Sequence, residues 1–399
     1  MDSRPYRGID QQQERSLRET LISRPAKITG IAVATIQGQL PAPVVFGDWI
    51  MKVREFAVVR LTTDSGHTGW AFTLTRDGAV AEQIRKSIAP VYIGSLVDER
   101  TKTFRVAKGR SFASHSAGVG LRALSLVDLA AWDAAAKIAD KSIAEFLGGR
   151  AGAMPATAII GYPPASMNAA AVGAQVAGLW DKGWRRFKAP MGASLDESAA
   201  RLQAARDAAP TSWLGSDLAW MFSSVADAVA YARRIEHLNL GWIEDIFPPG
   251  NAGMLAELRK VQPIPLAQGD EQGGSYYPEA LIQAGSVDVV RIDLTCMGGI
   301  TGGRAIVDEC LKADQRFAAH MFAHVHSQVF SAWGFSDCPV EWGVPWTGVD
   351  PYADSLVQPV LDGDGRMRAL PAAPGFGDLV NREWALGQPH DDPDHILAE

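Results

Sequence analysis

SWLGSD (Ser212–Asp217), LGWIED (Leu240–Asp245) and IPLAQGD (Ile264–Asp270) each carry a short apolar run into an acidic residue. Runs of this kind, bounded by turn residues, read as buried strands. If the three strands lie parallel in succession, Asp217, Glu244 and Asp270 stand at their ends and converge. Converging carboxylates repel one another unless a cation separates them, and oxygen-only ligands favour a hard ion, Mg²⁺. One acid at such a place is more often a helix N-cap or a solvated loop residue. The repetition is what argues for a site.

Outward from this stretch the same unit recurs. MPATAII, RRFKAP, VDVVRID, RFAAHM and CPVEW are further short apolar runs, all but the last followed by a segment able to form a helix. Eight strands at roughly 20 to 30 residue intervals are the pattern of a (β/α)₈ barrel, whose active face lies at the C-terminal ends of the strands. The barrel is expected over residues 151–343.

Residues 28–150 read differently, strands first and helices after, as an α+β capping domain. KITGIAVATI and FAVVRLTTDSGHTGW are strand-like, with Asp64-Ser65-Gly66 as the turn inside the second. QGQLPAPVVFGDW between them, rich in Pro and Gly, reads as a loop that either covers a site or is a plain surface connection. VGLRALSLVDLAAWDAAAKI has a helical period that puts Leu121, Leu124, Val127 and Leu129 near one face, and Leu147-Gly148-Gly149 ends the helical region. Residues 344–399 are irregular and Pro-rich, as expected of a segment that returns to complete the capping domain. Residues 1–27 are polar and read as a flexible arm without the apolar core of a signal peptide, so a cytoplasmic protein is expected.

Bulk properties exclude several classes. The chain has 399 residues, 47% of them hydrophobic, which is ample for a large core. A formal charge of -7 without a basic block argues against nucleic acid, and no apolar run reaches the ~18 residues of a membrane span. Cys296, Cys310 and Cys338 are odd in number and lack CxxC spacing, so reduced thiols are expected.

Taken strand by strand, the expected rim reads Lys188, Asp217, Glu244, Asp270, Asp293, His320 and Glu341. A stability-driven rim would not be expected to yield this order. With TTDSGHTGW, LRALSLVDLAAWD, LGG, GGITGGRAI and the closing PGFG, the chain resembles the mandelate racemase subgroup of the enolase superfamily over nearly its whole length. The resemblance implies that Asp217, Glu244 and Asp270 bind Mg²⁺, with Glu271 directly behind Asp270. It implies that Asp293 and His320 form a catalytic dyad, the carboxylate orienting the imidazole and raising its basicity. It implies further that Glu341 hydrogen-bonds a developing enediolate, that the N-terminal loops contact substrate, and that the protein is a symmetric homo-oligomer, often an octamer. Trp49 and Arg76, with Phe46, are the substrate-contact candidates in those loops.

In one place the chain departs from that pattern. Members that abstract a proton from the second face carry Lys-x-Lys at the end of the second barrel strand; here FKAPMG supplies Lys188 and then Pro190. Proline cannot be a base, whereas a racemase needs one on each face of its substrate. A single His can still take an α-proton and return a proton to a departing hydroxyl. The expected activity is therefore Mg²⁺-dependent dehydration of a sugar acid (aldonate or aldarate) to a 2-keto-3-deoxy acid, with Lys188 contacting substrate and not moving the proton.

Two alternatives stand beside it. One is a racemase, epimerase or cycloisomerase in which another group, such as Tyr162, replaces the missing lysine. The other is a catalytically silent member that binds metal and acid. His324 and His326, close behind His320 in HMFAHVH, also allow a zinc reading, which the carboxylate set makes the weaker one. Cys296 and Met297 read as packing against a strand end. Trp220, Trp333 and Trp346 either narrow the pocket or fill space around the barrel.

Overall fold

The computed structural model describes residues 25–46, 49–271, 276–343, 356–380, 382–389 and 391. Strands β1 (Ile28–Phe46), β2 (Trp49–Thr63) and β3 (Thr68–Leu74) form an antiparallel sheet in that order. The Asp64–Gly66 turn joins β2 to β3, with Gly66 at φ +80°. The described part of the stretch read as a loop, residues 37–46 and 49, is strand instead, the far ends of β1 and β2, where Val44 pairs with Met51 and Val45 with Ile50 after a register shift past Gln39. β1 is an edge strand, where prolines cost no ladder bond. Pro41 and Pro43 therefore do not break it.

Behind the sheet runs the helix Gly118–Ile138, in which 17 of 21 residues are buried, far more than the single face its leucines suggested. It is packed on two sides. On one, a Cβ at Gly69 of β3 would stand 1.9 Å from the carbonyl oxygen of Ala130, so only glycine allows this approach. On the other, Asp128 accepts from the backbone N–H of Thr301 at 3.0 Å and from its hydroxyl at 2.7 Å, and the Trp132 indole donates to the same hydroxyl at 3.1 Å. Thr301 lies in the barrel helix Gly299–Lys312, so this helix joins cap to barrel.

The barrel strands are β4 (Met154–Ile159), β5 (Arg186–Pro190), β6 (Trp213–Asp217), β7 (Trp242–Glu244), β8 (Leu266–Gln268), β9 (Val289–Ile292), β10 (Arg316–Ala319) and β11 (Val340–Gly343). They run parallel in the spatial order β10-β9-β8-β7-β6-β5-β4-β11. The ring closes at the end of β10, where Ala319 N–H donates to Pro339 at 3.1 Å and Phe322 bridges to Glu341. All eight apolar runs read from the sequence are thus barrel strands, with helices between them.

The C-terminal segment returns to the cap. Gly375 exchanges backbone bonds with Lys141 and Ile143, Phe376 N–H donates to Asp133, and Gln37 N–H donates to Pro389. Trp384 packs edge-on against Phe56 of β2 at 6.4 Å. Among the described residues no helix is long and apolar enough to cross a membrane.

Candidate active site

A cavity of about 610 Å³ opens at the C-terminal ends of the barrel strands. Lys188, Asp217, Asp270 and His320 line it from the barrel, and Met51, Arg54, Arg76 and Arg122 from the N-terminal domain. Such a volume suits a small ligand. Arg76, Asp77, Ala219, Trp220, Asp245, Glu271 and Met321 all line it with φ between 43° and 58°. Left-handed backbone at non-glycine residues carries a cost, and its concentration here marks a rim shaped for something other than stability.

His320 follows β10 and Asp293 follows β9, and adjacent strands bring them together. Nδ1 of His320 lies 3.2 Å from Oδ2 of Asp293. The other oxygen of Asp293 accepts from the backbone N–H and the hydroxyl of Thr295, at 2.8 and 2.7 Å. That hydroxyl is 2.7 Å from Thr73 Oγ1 on β3, so the cap braces the dyad. Burial would raise Asp293, but the hydrogen bond from His320 and the neighbouring imidazoles and Thr295 outweigh it and hold the carboxyl below its usual range. An ionised Asp293 fixes the proton on Nδ1 and leaves Nε2 facing Asp270 and Glu271, at 3.6 and 3.5 Å. Burial works against charge on the ring, yet Asp270, the bond to Asp293 and Glu271 together outweigh it and lift His320 to about 9.

Beneath the cavity floor lies an ion-pair ring that the sequence did not disclose. Lys188 Nζ is 2.7 Å from Glu244 Oε1 and 2.8 Å from Glu341 Oε1. Arg291 pairs with the same two acids, its Nε 3.3 Å from Glu244 Oε2 and its Nη2 on Glu341. The four residues come from β5, β7, β9 and β11, alternate strands of the barrel, which is how barrel interiors form layers of four. Two cations and two anions alternate around the ring and cancel. Burial would lower Lys188, but Glu244 and Glu341 outweigh it and keep the ammonium protonated well above its usual range. Glu341 is likewise held down at about 2, burial being overcome by Arg291 and Lys188. Lys188 reaches the cavity wall; Glu244 and Glu341 are not among the residues lining that cavity.

Of the five acids that line it, Asp77, Asp217, Asp245, Asp270 and Glu271, three stand at or just past the ends of β6, β7 and β8: Asp217, Asp245 and Asp270. Asp217 holds Ala219 N–H at 3.0 Å and has Lys188 at 3.8 Å. Asp270 has His320 at 3.6 Å and Arg291 at 3.9 Å. Burial raises all three above the usual carboxylate range. Among the described residues no three His, Cys, Asp or Glu side chains stand close enough, as placed, to hold a metal ion. The donor chemistry nonetheless fits a hard divalent cation: clustered, buried carboxylate oxygens whose charge the nearby cations only partly offset.

Glu271, the neighbour of Asp270, is committed elsewhere. It takes a two-pronged ion pair from Arg76 and has Arg122 at 3.8 Å. Burial is overcome chiefly by Arg76, so the carboxyl stays far below its usual range. Arg76 itself stands on the cavity wall. The side chains of Trp49 and Phe46 lie outside the described residues, as does Trp346. Trp220 lines the cavity, while Trp333 is buried against Phe330. His324 packs on Trp342 and bonds the Val357 carbonyl, and burial pulls it to about 4. His326 is tied to backbone at Met321 and Leu294. Cys296 is buried at the Asp293 carbonyl, and Met297 Sδ accepts from Asp293 N–H.

Comparison with known proteins gives this arrangement its relatives. Residues 27–148 match the family described as mandelate racemase / muconate lactonizing enzyme, N-terminal domain, and residues 171–384 match the enolase C-terminal domain-like family. The chain belongs to the mandelate racemase subgroup of the enolase superfamily. It is 24% identical over 376 residues to D-galactarolactone cycloisomerase of Agrobacterium fabrum, covering 90% of this chain and 97% of that one. It is 26% identical over 350 residues to L-rhamnonate dehydratase of Saccharopolyspora erythraea, covering 84% and 85%. A crystal structure of an enolase from Bradyrhizobium complexed with magnesium and mandelic acid superposes with a TM-score of 0.79 at 22% identity, over 92% of this chain and 99% of that one.

Proposed function

We propose that the protein is a Mg²⁺-dependent dehydratase of a sugar acid. The observation that carries this reading is that, among the described residues lining the cavity, Lys188 and Tyr162 are both held protonated, so neither serves as a partner base to His320. Pro190 stands where a second lysine would be. Lys188 is held protonated by Glu244 and Glu341. Tyr162 lines the cavity, but burial raises its phenol, which leaves it protonated and a poor base. Inversion at C2 needs a base on each face; elimination needs one.

Asp217 and Asp270 would hold the metal, which as a Lewis acid lowers the cost of negative charge on the substrate carboxylate and 2-hydroxyl. His320 Nε2 takes the C2 proton of a 2,3-dihydroxy acid, with the imidazolium stabilised by Asp293. The C3–O bond then breaks as the imidazolium returns its proton to the 3-hydroxyl, which leaves as water. The enol left behind tautomerises to the 2-keto-3-deoxy acid. Lys188 offers a fixed positive charge to the substrate carboxylate, and Arg54 and Arg76 face the distal end from the cap.

Cycloisomerisation is a second reading, favoured by the nearly full-length match to D-galactarolactone cycloisomerase. It would begin with the same proton abstraction and differs in product. The test is His320→Asn, expected to abolish turnover of any sugar acid the enzyme dehydrates while Mg²⁺ binding persists; retained turnover would overturn the dyad.

A further inference from the structure

The cap places three arginines on the cavity wall: Arg54 on β2, Arg76 just past β3, and Arg122 on the helix Gly118–Ile138. Arg76 and Arg122 share Glu271, and Arg122 also donates to the Leu74 carbonyl at 3.0 Å and to Thr73 Oγ1 at 3.3 Å. One buried acid against two cations leaves this part of the wall positive before Arg54 is counted. Asp77, the acid that the cap contributes to the lining, is exposed, where water screens its charge.

Arg54 is 4% exposed, and its backbone is fixed in the β1–β2 ladder opposite Gly38. Its neighbour Glu55 is outside the cavity lining and accepts from the Thr75 hydroxyl at 2.7 Å. The phenol of Tyr162 feels the charges of Arg54, Lys188 and Arg76 together, so the cap arginine and the barrel lysine border one space. That space has a cation from each domain. A guanidinium carries five N–H donors in a rigid fork, so contacts within the protein still leave donors for a ligand.

The barrel side of the cavity, with Lys188 and the strand-end acids, accounts for one carboxylate of a bound acid. The far end of an aldonate is a neutral hydroxymethyl group. The far end of an aldarate is a second carboxylate, which takes two parallel charge-assisted hydrogen bonds from a guanidinium, each roughly twice as strong as a neutral one. A buried cation facing a hydroxymethyl group would keep most of its desolvation cost. We propose that the acid this site takes is a diacid, an aldarate, and that Arg54 binds the carboxylate remote from the reacting carbon and so sets specificity. This rests on the sugar-acid reading proposed above and narrows it.

The test is calorimetric titration of full-length His320→Asn protein, in Mg²⁺, with pairs of acids that differ only at C6: galactarate and galactonate, glucarate and gluconate, mannarate and mannonate. At least one diacid is expected to bind about tenfold or more tighter than its monoacid partner, and Arg54→Gln in the same background to bring that pair within about threefold of each other. Monoacids bound as tightly as their diacids in every pair would overturn the proposal, as would the absence of diacid binding. Equal weakening of both members of a pair by Arg54→Gln would reduce Arg54 to a structural part and overturn it too. If Arg54→Gln fails to fold, Arg54→Lys takes its place; it keeps the charge, loses the fork, and is expected to cut the preference several-fold. Parallel assays of wild-type protein for 2-keto acid separate this inference from the reading beneath it. A diacid bound with an Arg54-dependent preference and not dehydrated supports the diacid site and overturns the dehydratase; a monoacid dehydrated in preference to its diacid does the reverse.

Discussion

His320 Nδ1 lies 3.2 Å from Asp293 Oδ2, and the far side of that carboxylate is fixed by Thr295, which Thr73 of the cap holds in turn. The dyad is therefore oriented by both domains. Asp293→Asn would place an amide against Nδ1 and allow the wrong tautomer. A fall in kcat of about 10² to 10⁴ is expected, with KM changed far less. Steady-state kinetics that show less than a tenfold loss would remove Asp293 from its role.

His320 must be neutral to accept a proton, and Asp270, Asp293 and Glu271 lift it to about 9 in the metal-free protein. Its rate-limiting ionisation should give a limb that rises with pH. A divalent cation among the acids withdraws their charge from the ring, so the midpoint should fall when metal binds. Histidine NMR titration with and without Mg²⁺ checks this. The stability sign is also fixed: a folded value raised above the unfolded ~6.5 contributes stability fully below that pH, and loses it as pH rises through about 9. His320→Asn should flatten that part of the metal-free protein's stability profile.

Arg76 of the cap is bound to Glu271 of the barrel rim. The arginine is partly solvated, its side chain 35% exposed, while Glu271 is buried, so the pair is worth less than a fully buried one. Arg76→Ala leaves Glu271 with Arg122 at 3.8 Å and His320 Nε2 at 3.5 Å. A loss of about 1 to 2 kcal/mol and a several-fold rise in KM are expected, checked by denaturant unfolding and kinetics. An unchanged KM would place Arg76 outside substrate capture.

Gly299 has φ +66°, and a Cβ there would stand 2.3 Å from Asp128 Oδ2. Gly299→Ala combines backbone strain with a clash at the carboxylate that docks the cap on the barrel. A cost of roughly 2 to 4 kcal/mol is expected, visible as a fall in Tm of several degrees. Calorimetry showing no fall would mean that the two helices can part freely.

The barrel was legible because each strand is short, apolar and bounded by turn residues, a pattern that needs no tertiary knowledge. Lys188, His320 and Asp293 were legible because strand ends of a barrel converge. The ring was not, although Arg291 lies two residues before Asp293 in VDVVRID and therefore on its face of the strand. A charge inside an apolar strand was the available signal; which acids it meets across the barrel depends on strand stagger. The separate surroundings of Glu244 and Asp245 were hidden as well, because the φ of one residue decides which of two adjacent acids reaches the cavity. Arg54 and Arg122 escaped notice because nothing local shows a cap strand or helix reaching a barrel mouth. Pro41 and Pro43 misled in the other direction, being harmless on an edge strand.

Single-base elimination is tested most directly by incubating the purified protein with Mg²⁺ and a library of aldonic and aldaric acids in D₂O. Semicarbazone formation reports 2-keto acid, and ¹H NMR reports the fate of the C2 proton. The account predicts a 2-keto-3-deoxy acid from a restricted set of substrates, with no C2 epimer recovered. Deuterium entering C2 with inverted configuration and no loss of water would contradict it, since that outcome requires a second base.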